Sequence, residues 1–478
     1  MSQPLWTSAA MAQAMRATVR GALPQDVTGI SIDSRTLTPG DAYFAILGDV
    51  HDGHAFVDAA LANGAALAVV AQAQADSFAP DARLLIVDDV LAALVALGCA
   101  ARARLTGQVI AVTGSVGKTS TKEALRAVLG AQGETHASVA SFNNHWGVPL
   151  TLARCPASAQ FAIFEIGMNH AGEITPLVKM VRPHVAIITT VEPVHLEFFS
   201  GVEAIADAKA EIFLGLEPGG AAVLNIDNPQ FARLKASADK AGVVRVVSFG
   251  ADAHADARLI DMSLHPACSA VHADILGQAI TYKIAVPGRH MVMNSLAVLA
   301  AATLAGADLA VSALALSRLQ PAAGRGVRHD LGLADGSAIL IDESYNANPA
   351  SMAAAISVLG QAGVGPRGRR IAVLGDMLEL GAQSPELHRG LGEAITVHGV
   401  DSVFCCGPLM RNLWEALPSA KKGGYAETSA ALAPLVADAI GPGDAIMVKG
   451  SLGSRMKLIV TALEKRFPVK DALDDVSV

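Results

Sequence analysis

The chain has 478 residues, more than one hydrophobic core usually holds, so its length predicts two to four domains. Its 36 basic and 44 acidic residues give a net charge of −8, which excludes general electrostatic binding of nucleic acid or anionic lipid. Only 4% of its residues are aromatic, which excludes a nucleic-acid binder that stacks bases on aromatic side chains. The five cysteines show no CxxC spacing, so we expect free thiols in a reducing, cytoplasmic compartment rather than a zinc knuckle or a disulfide framework.

The first block of the chain is rich in short β patterns. Residues 1–23 predict an amphipathic helix rather than a signal peptide, because polar and charged side chains interrupt the apolar ones. From Gly29 to about Val87, β-rich runs alternate with turn residues. A helix predicted over Val90–Arg104 leads out of this block.

The second and third blocks alternate strand and helix patterns, which predicts mostly parallel sheets covered by helices. The third block begins near Pro321. A buried helix is expected at Leu296–Ala307, which is too short to span a bilayer. The apolar runs expected to form strands are Val109–Thr113, Phe161–Glu165, Val185–Val191 and Ala221–Asn225 in the second block, and Ala338–Ile341, Ile371–Leu374, Val403–Cys406 and Ala445–Val448 in the third.

Polar side chains follow the predicted strands at the points where these strands end. In open parallel sheets, ligands bind at the carboxyl ends of the strands. Each of these side chains could instead cap a helix or start a turn, but their joint occurrence indicates a binding edge. They are Thr113, Glu165, Glu192, His195, Asn225, Asp342 and Asp376.

The clearest motif is a glycine-rich segment between a strand and a helix predicted over Thr121–Leu129. Backbone N–H groups of such a loop and the helix N-terminus bind phosphate, while Lys118 reaches the terminal phosphates and Thr119 can ligate Mg²⁺. Val112 takes the position of the first glycine in the strict pattern, so the loop is a variant. The predicted nucleotide-binding residues are Thr113, Gly114, Ser115, Val116, Gly117, Lys118, Thr119 and Ser120.

Glu165, His195 and Lys209 differ in how well their sequence positions suit a metal site. Glu165 is the best carboxylate candidate, because Mg²⁺ usually takes one or two carboxylates from a protein. His195 is either a second ligand, a phosphate contact or a structural residue. Lys209 has the pattern of an exposed helix lysine, and nothing in its spacing distinguishes it.

Segments along nearly the whole chain resemble the Mur ligases. They are TGSVGKTS at 113–120, FNNHWGVPLTL at 142–152, FEIGMNHAGEI at 164–174, EPVHLEF at 192–198, DAKAEIF at 207–213, DESYNANPASM at 342–352 and LGDMLELG at 374–381. The last two are similar to the branch that adds D-alanyl-D-alanine to a UDP-N-acetylmuramoyl tripeptide. The resemblance implies an α/β fold of three domains: a small N-terminal α/β domain (1–89) for the UDP substrate, a central P-loop-type ATPase domain (90–320) with a mostly parallel sheet, and a Rossmann-like α/β domain (321–478) that binds the dipeptide and closes on ATP.

The resemblance also implies roles for individual residues. The implied catalytic residues are Lys118, Glu165, His195 and Lys209. The implied ligands of two Mg²⁺ ions are Thr119, Glu165, His195 and Lys209, the last as a carbamate. The implied further contacts of ATP are Asn294 at the adenine, with Arg325 and Asp342 from the third domain. The implied UDP-substrate contacts are Ser34, Arg35, Gly53, His54, Asn143 and Asn144. The implied D-alanyl-D-alanine contacts are Asn346, Asn348 and His388.

The implied reaction is ATP-dependent amide formation through an acyl phosphate, giving UDP-N-acetylmuramoyl pentapeptide, ADP and phosphate for peptidoglycan synthesis. We expect a monomer that acts on small molecules, without a nucleic-acid or membrane partner. One alternative is a sister ligase that adds the third amino acid, or a folate polyglutamate ligase, although Asn348-Pro349 is followed by Ala350 where the diaminopimelate-adding member has arginine. The other is a nucleotide-dependent switch without bond-forming chemistry. His145, Trp146 and Met291 depart from the family pattern.

Overall fold

The computed structural model describes residues 4–48, 50–139 and 141–469. These residues form three α/β blocks, each built on a mostly parallel sheet, and this architecture confirms the predicted fold class. We call them the first block (4–87), the middle block (90–316) and the C-terminal block (327–467). No helix within the described ranges combines the length and the apolar character needed to cross a bilayer.

The first block has its predicted strands but a shorter N-terminal helix than expected. Its strands are β1 (Trp6–Thr7), β2 (Thr18–Arg20), β3 (Asp26–Val27), β4 (Gly29–Ser31), β5 (Asp41–Phe44), β6 (Leu67–Ala71) and β7 (Leu84–Val87), and its helices are α1 (Ser8–Met15) and α2 (Val57–Ala62), with 3₁₀ turns at Gly53–Phe56 and Gln72–Ser77. Its main sheet has the order β2-β7-β6-β5-β4, with β2 antiparallel to β7. Helix α1 ends because Arg16 adopts a left-handed backbone conformation (φ 53°), after which the chain turns into β2.

The middle block contains a nine-stranded sheet. Its strands are β8 (Gln108–Thr113), β9 (Thr135–Ala137), β10 (Phe161–Glu165), β11 (Val185–Ile188), β12 (Ala221–Asn225), β13 (Arg245–Gly250), β14 (Ala257–Leu264), β15 (Ser269–Ile275) and β16 (Gln278–Ile284). Its helices are α3 (Val90–Arg104), α4 (Lys118–Gly130), α5 (Gly147–Ala153), α6 (Ile174–Val181), α7 (Val202–Ala210), α8 (Phe231–Lys240), α9 (Arg289–Leu304) and α10 (Leu309–Leu316), with a 3₁₀ turn at Glu211–Gly215.

The order of this sheet is β16-β15-β14-β13-β12-β11-β8-β10-β9, and the pairs from β14 to β9 are parallel. The parallel strands place their carboxyl ends along one edge, beside the glycine-rich loop that follows β8. Strands β9, β13, β14, β15 and β16 were not predicted, and several predicted elements have other ends in the structure. The helix expected at Leu296–Ala307 runs from Arg289 to Leu304. Strand β11 ends at Ile188 rather than Val191, and α4 begins at Lys118 rather than Thr121 because the loop passes directly into the helix.

The C-terminal block contains a six-stranded sheet. Its strands are β17 (Val327–Leu333), β18 (Gly336–Glu343), β19 (Arg370–Gly375), β20 (Ser402–Cys406), β21 (Lys422–Ala426) and β22 (Ala445–Lys449). Its helices are α11 (Pro349–Gln361), α12 (Ser384–Val397), α13 (Arg411–Ala416), α14 (Ser429–Ala439) and α15 (Lys457–Arg466), with 3₁₀ turns at Gly381–Gln383, Ser419–Lys421 and Leu452–Ser454. The order is β17-β18-β22-β19-β20-β21, and only β17 runs antiparallel to its neighbour.

One hydrophobic core runs without interruption from the first block into the middle block. A single cluster of buried side chains includes Phe44 of β5, Leu94 of α3 and Ala111 of β8. The Trp6 indole N–H also donates to the carbonyl of Ala153 at 2.8 Å, which ties the N-terminus to α5. The C-terminal block instead buries its own clusters on the two faces of its sheet.

Candidate functional site

The glycine-rich loop is held in shape by its own residues and by the neighbouring strand. Gly114 and Gly117 have φ angles of 147° and 89°, which side chains rarely allow. The Lys118 ammonium donates to the Gly114 carbonyl at 2.7 Å, and the Thr189 hydroxyl donates to the Val116 carbonyl at 2.5 Å. Burial lowers the pKa of Lys118. The loop therefore presents backbone N–H groups, one lysine and a helix N-terminus to the same space, as phosphate binding requires.

A cavity of about 800 Å³ opens in front of this loop, between the middle and C-terminal blocks. Of the eight predicted nucleotide-binding residues, the six from Ser115 to Ser120 line it. Thr113 does not, because its fully buried side chain lies in β8 and its hydroxyl has no partner in the described part of the chain. Gly114 also lies outside the lining, although its carbonyl holds Lys118.

Glu165 lies deep in this cavity with only neutral hydrogen-bond partners. It is 1% exposed, and it accepts hydrogen bonds from the Thr119 hydroxyl at 2.9 Å and from the Asn143 amide at 2.8 Å. A buried carboxylate without a bonded cation suits a positive ion, and the donor set of carboxylate and hydroxyl suits Mg²⁺. Within the described ranges no group of three or more His, Cys, Asp or Glu side chains could hold a metal.

Lys209 is buried, although its sequence pattern indicated an exposed helix lysine. It lies in the last turn of α7 and is 2% exposed. Burial, with the charge of Lys118 as a second cause, holds the pKa of Lys209 well below its usual range. The described residues give it no hydrogen bond or ion pair. Five of the nine residues of α7 are buried and its exposed residues are Glu203 and Asp207, so the charge of Lys209 did not indicate which face of the helix meets water.

His195 reaches the C-terminal block. Its ring lines the large cavity and also a second cavity of about 160 Å³ that Lys118 borders. Its Nδ1 lies 2.6 Å from Oε2 of Glu379, and this hydrogen bond lowers the pKa of Glu379. Glu379 was not among the predicted site residues, although it lies within the LGDMLELG segment that carried the family resemblance.

Of the three predicted nucleotide contacts outside the loop, two line the large cavity and one does not. Asn294 and Arg325 line the large cavity, and the Arg325 guanidinium carbon lies 4.4 Å from the centroid of the Tyr345 ring. Asp342 does not line it, because its carboxylate accepts hydrogen bonds from Ser344 and from Lys457 at 2.9 Å.

Glu343 faces the cavity instead of Asp342. Successive strand residues point to opposite faces, so the two acidic residues at the end of β18 cannot both do so. The Glu343 carboxylate is paired with the buried Lys449 ammonium at 3.2 Å, and Lys449 lines the same cavity. Strand alternation was the signal in the sequence that could have identified Glu343.

The three predicted dipeptide contacts divide into two groups. Asn346 and Asn348 line both cavities, and Asn348 also caps α11 by accepting from the Ser351 N–H at 2.9 Å. His388 is 0% exposed, its Nε2 accepts from the Met377 N–H at 2.9 Å, and its Nδ1 lies 2.6 Å from the Ser384 carbonyl. The structure therefore gives His388 a role inside the C-terminal block and not at either cavity.

Two of the predicted UDP-substrate residues lie on the loop before α5. Asn143 bonds Glu165, and Asn144 accepts from the Gly147 N–H at 2.9 Å. The other four lie in the first block and do not border the large cavity. His54 uses both ring nitrogens there, one with Asp52 at 2.6 Å and one as acceptor from the Ala71 N–H at 3.0 Å.

Ser34, Gly53 and Arg35 complete the first-block set. Arg35 pairs with Asp33 at 2.7 Å and is largely exposed. This pair holds the pKa of Asp33 near 2, chiefly through the side-chain hydrogen bond from Arg35. Gly53 follows Asp52, whose side chain accepts from the His54 N–H and so starts a 3₁₀ turn. The first block thus offers one exposed cation beside a well-ordered turn.

Comparison with known families and structures assigns the chain. Residues 112–302 match the Mur ligase middle domain, residues 332–452 the Mur ligase glutamate ligase domain, and residues 26–102 the Mur ligase family catalytic domain. The UDP-N-acetylmuramoyl-tripeptide--D-alanyl-D-alanine ligase of Escherichia coli is 33% identical over 92% of this chain and 95% of its own length. The enzyme of the same name from Bacillus subtilis is 34% identical over 91% and 93%, respectively.

Solved structures agree with this assignment. MurF from Acinetobacter baumannii aligns with a TM-score of 0.83 and 30% identity, covering 96% of this chain and 99% of that one. MurF ligase from Thermotoga maritima, solved in complex with ADP, aligns with a TM-score of 0.75 and 26% identity, covering 92% and 98%. The chain belongs to the Mur ligase family.

Proposed function

We propose that this protein is the ATP-dependent ligase that joins D-alanyl-D-alanine to a UDP-N-acetylmuramoyl tripeptide. The products are UDP-N-acetylmuramoyl pentapeptide, ADP and phosphate, and the pathway is the synthesis of peptidoglycan precursors. The observation that carries the proposal is the sharing of one cavity by the phosphate loop, Glu165 and the Glu343–Asn348 segment. Full-length identity above 30% to ligases of this name supports the same substrates.

ATP would bind with its phosphates on the loop from Ser115 to Ser120. Lys118 would stabilise charge on the transferring phosphoryl group, since positioning and electrostatics supply most of the catalysis in phosphoryl transfer. Asn294 lies against the loop, because a Cβ on Gly117 would come within 2.7 Å of its Nδ2, and this proximity supports a contact with the nucleotide. Arg325, stacked on Tyr345, would contact ATP from the C-terminal block.

Magnesium fits the oxygen ligands at the base of the cavity. Thr119 and Glu165 would hold one ion, and His195 with a carbamylated Lys209 would hold a second. When bound, Mg²⁺ neutralises negative charge on the phosphates. Carbamylation suits Lys209 because burial lowers its pKa, which favours the neutral amine. Its lone pair can attack CO₂, forming a nitrogen–carbon bond and releasing a proton, and the product is a carboxylate.

The chemical steps follow from the weakness of a carboxylate as an electrophile. The terminal carboxylate of the tripeptide attacks the γ-phosphorus, and ADP leaves with the electrons of the broken P–O bond. The dipeptide amine then attacks the carbonyl carbon of the acyl phosphate, loses a proton and expels phosphate. The position of the cavity between two blocks supports protection of the acyl phosphate from water.

We assign one substrate to each domain, with boundaries at 1–89, 90–320 and 321–478. The first would receive the UDP end through the segments around Ser34–Arg35 and Gly53–His54. The third would present the dipeptide, with Asn346 and Asn348 at the second cavity. We also propose that the protein acts as a monomer, and nucleotide substrates support a cytoplasmic location.

The test is phosphate release measured with each substrate omitted in turn. We expect release only when ATP, a UDP-N-acetylmuramoyl tripeptide and D-alanyl-D-alanine are all present, with a matching pentapeptide product in the mass spectrum. ATP hydrolysis that ignores both other substrates would favour a nucleotide-dependent switch. Full activity with a single amino acid in place of the dipeptide would favour a sister ligase.

A further inference from the structure

The loop after β11 in the middle block contacts the turn after β19 in the C-terminal block. Nδ1 of His195 and Oε2 of Glu379 are 2.6 Å apart, and the Glu197 N–H donates to the Glu379 carbonyl at 3.5 Å. Within the described residues, the His195–Glu379 bond is the only side-chain hydrogen bond that joins these two blocks. It ends on a histidine that lines both cavities.

The backbone on both sides is shaped for this contact. His195 and Glu379 have φ angles of 55° and 63°, a region that residues other than glycine rarely occupy. Gly381 has φ 59°, and a Cβ there would lie 3.3 Å from the Cα of Glu197, which is closer than most such contacts. The turn can therefore approach the loop closely enough for the carboxylate to reach the ring.

The contact contributes little to folding. The His195 side chain is 24% exposed and that of Glu379 is 46% exposed, so water competes for both groups. Ion pairs of this exposure add little to the free energy of unfolding. The contact therefore matters more for the orientation of the His195 ring than for the stability of the fold.

The hydrogen bond determines which ring nitrogen of His195 is free. An ionised carboxylate only accepts, so the neutral tautomer that suits this contact carries its proton on Nδ1 and leaves the lone pair on Nε2. Carboxylate partners of this kind fix the tautomer and the orientation of metal-binding histidines. We propose that Glu379 is a positioning residue that prepares His195 to bind metal beside ATP, so that this site is complete only when the amine-binding block is docked. The inference rests on the proposed function, which supplies the metal-binding role of His195.

The test measures metal binding directly, with Mn²⁺ as the probe in the presence of ADP, by electron paramagnetic resonance. We expect Glu379→Ala to weaken Mn²⁺ binding about 10–100-fold, the usual cost of losing such a partner. Glu379→Gln should lose less, because its amide oxygen still accepts from Nδ1–H. Glu386→Ala is the matched control, since this exposed glutamate lies in the first turn of α12 in the same block and has no bonded partner among the described side chains.

A double-mutant cycle separates positioning from an independent effect. In a His195→Ala background, adding Glu379→Ala should cause no further loss, whereas additive losses would overturn the proposal. Unchanged Mn²⁺ affinity in Glu379→Ala, or an equal loss in Glu386→Ala, would overturn it too. If Glu379→Ala does not fold, Glu379→Met, which also lacks an acceptor for Nδ1–H, decides by the same criterion. These measurements need no turnover, so a wild-type protein that shows the Glu379 dependence but forms no amide refutes the proposed function alone.

Discussion

Replacing Lys209 by methionine should make the protein more stable and inactive. The lysine is 2% exposed, it has no hydrogen-bond or ion-pair partner among the described residues, and its pKa lies well below its usual range because of burial. Methionine has a similar length and no charged end. We expect Lys209→Met to unfold at a higher temperature in CO₂-free buffer and to lose ligase activity, because no carbamate can form.

The size of the stability gain follows from the cost of an unpaired buried polar group. That cost is about 1–3 kcal/mol, and a near-isosteric exchange loses less than about 1.5 kcal/mol through imperfect packing. Each kcal/mol corresponds to roughly 2–4 °C in the unfolding temperature of a large domain. The folded state binds fewer protons at Lys209 than the unfolded state, so wild-type stability rises with pH toward the unfolded pKa of about 10.4. The advantage of Lys209→Met should therefore be larger at pH 7 than at pH 9.

Calorimetry at both pH values, together with phosphate release in bicarbonate buffer, measures these effects. Lys235→Met is the control, because Lys235 lies on the exposed face of α8 and has no bonded partner in the described structure. It should change neither stability nor activity appreciably. The account of an unpaired buried amine would be refuted if Lys209→Met were less stable than wild type. It would also be refuted if the stability advantage of the variant were the same at both pH values. Retained ligase activity would refute the carbamate.

Three further substitutions test separate parts of the site. Glu165→Gln should lower turnover at least about 100-fold and raise the Mg²⁺ concentration needed for half-maximal rate. A Mg²⁺ titration of the rate checks both effects, and an unchanged titration would remove Glu165 from the metal site. Arg325→Ala should weaken ADP binding by about 1–2 kcal/mol, or roughly 5–30-fold by calorimetry, whereas unaltered affinity would contradict its contact with the nucleotide. His388→Ala should leave the KM for D-alanyl-D-alanine unchanged and lower stability in urea by about 1–3 kcal/mol, because the Met377 N–H loses its acceptor; a raised KM would return His388 to the dipeptide site.

The sheets were largely predictable because their strands are nearly continuous apolar runs. Phe161–Glu165 and Ala221–Asn225 have the predicted ends, since both strands are buried on two faces and stop at a polar residue. The hairpin strands β14, β15 and β16 were missed. They lie near one end of the sheet and mix buried residues with half-buried and exposed ones, so they contain no long apolar run.

The phosphate loop was predictable from local spacing, whereas the residues facing it from the other block were not. Lys118 and Thr119 lie within one short motif that fixes both backbone and chemistry. Glu379 and Lys449 reach the cavities only through packing of two sheets, and no spacing in the sequence records that packing. His388 shows the opposite error, because resemblance suggested a ligand contact where burial leaves no surface for one.

The core shared by the first and middle blocks has a thermodynamic consequence. Since Phe44, Leu94 and Ala111 belong to one buried cluster, unfolding either block exposes apolar surface of the other. The C-terminal block has clusters of its own. Heating should therefore reveal two cooperative units rather than three, and the uridine end of the substrate would stay anchored while the block carrying the amine moves alone.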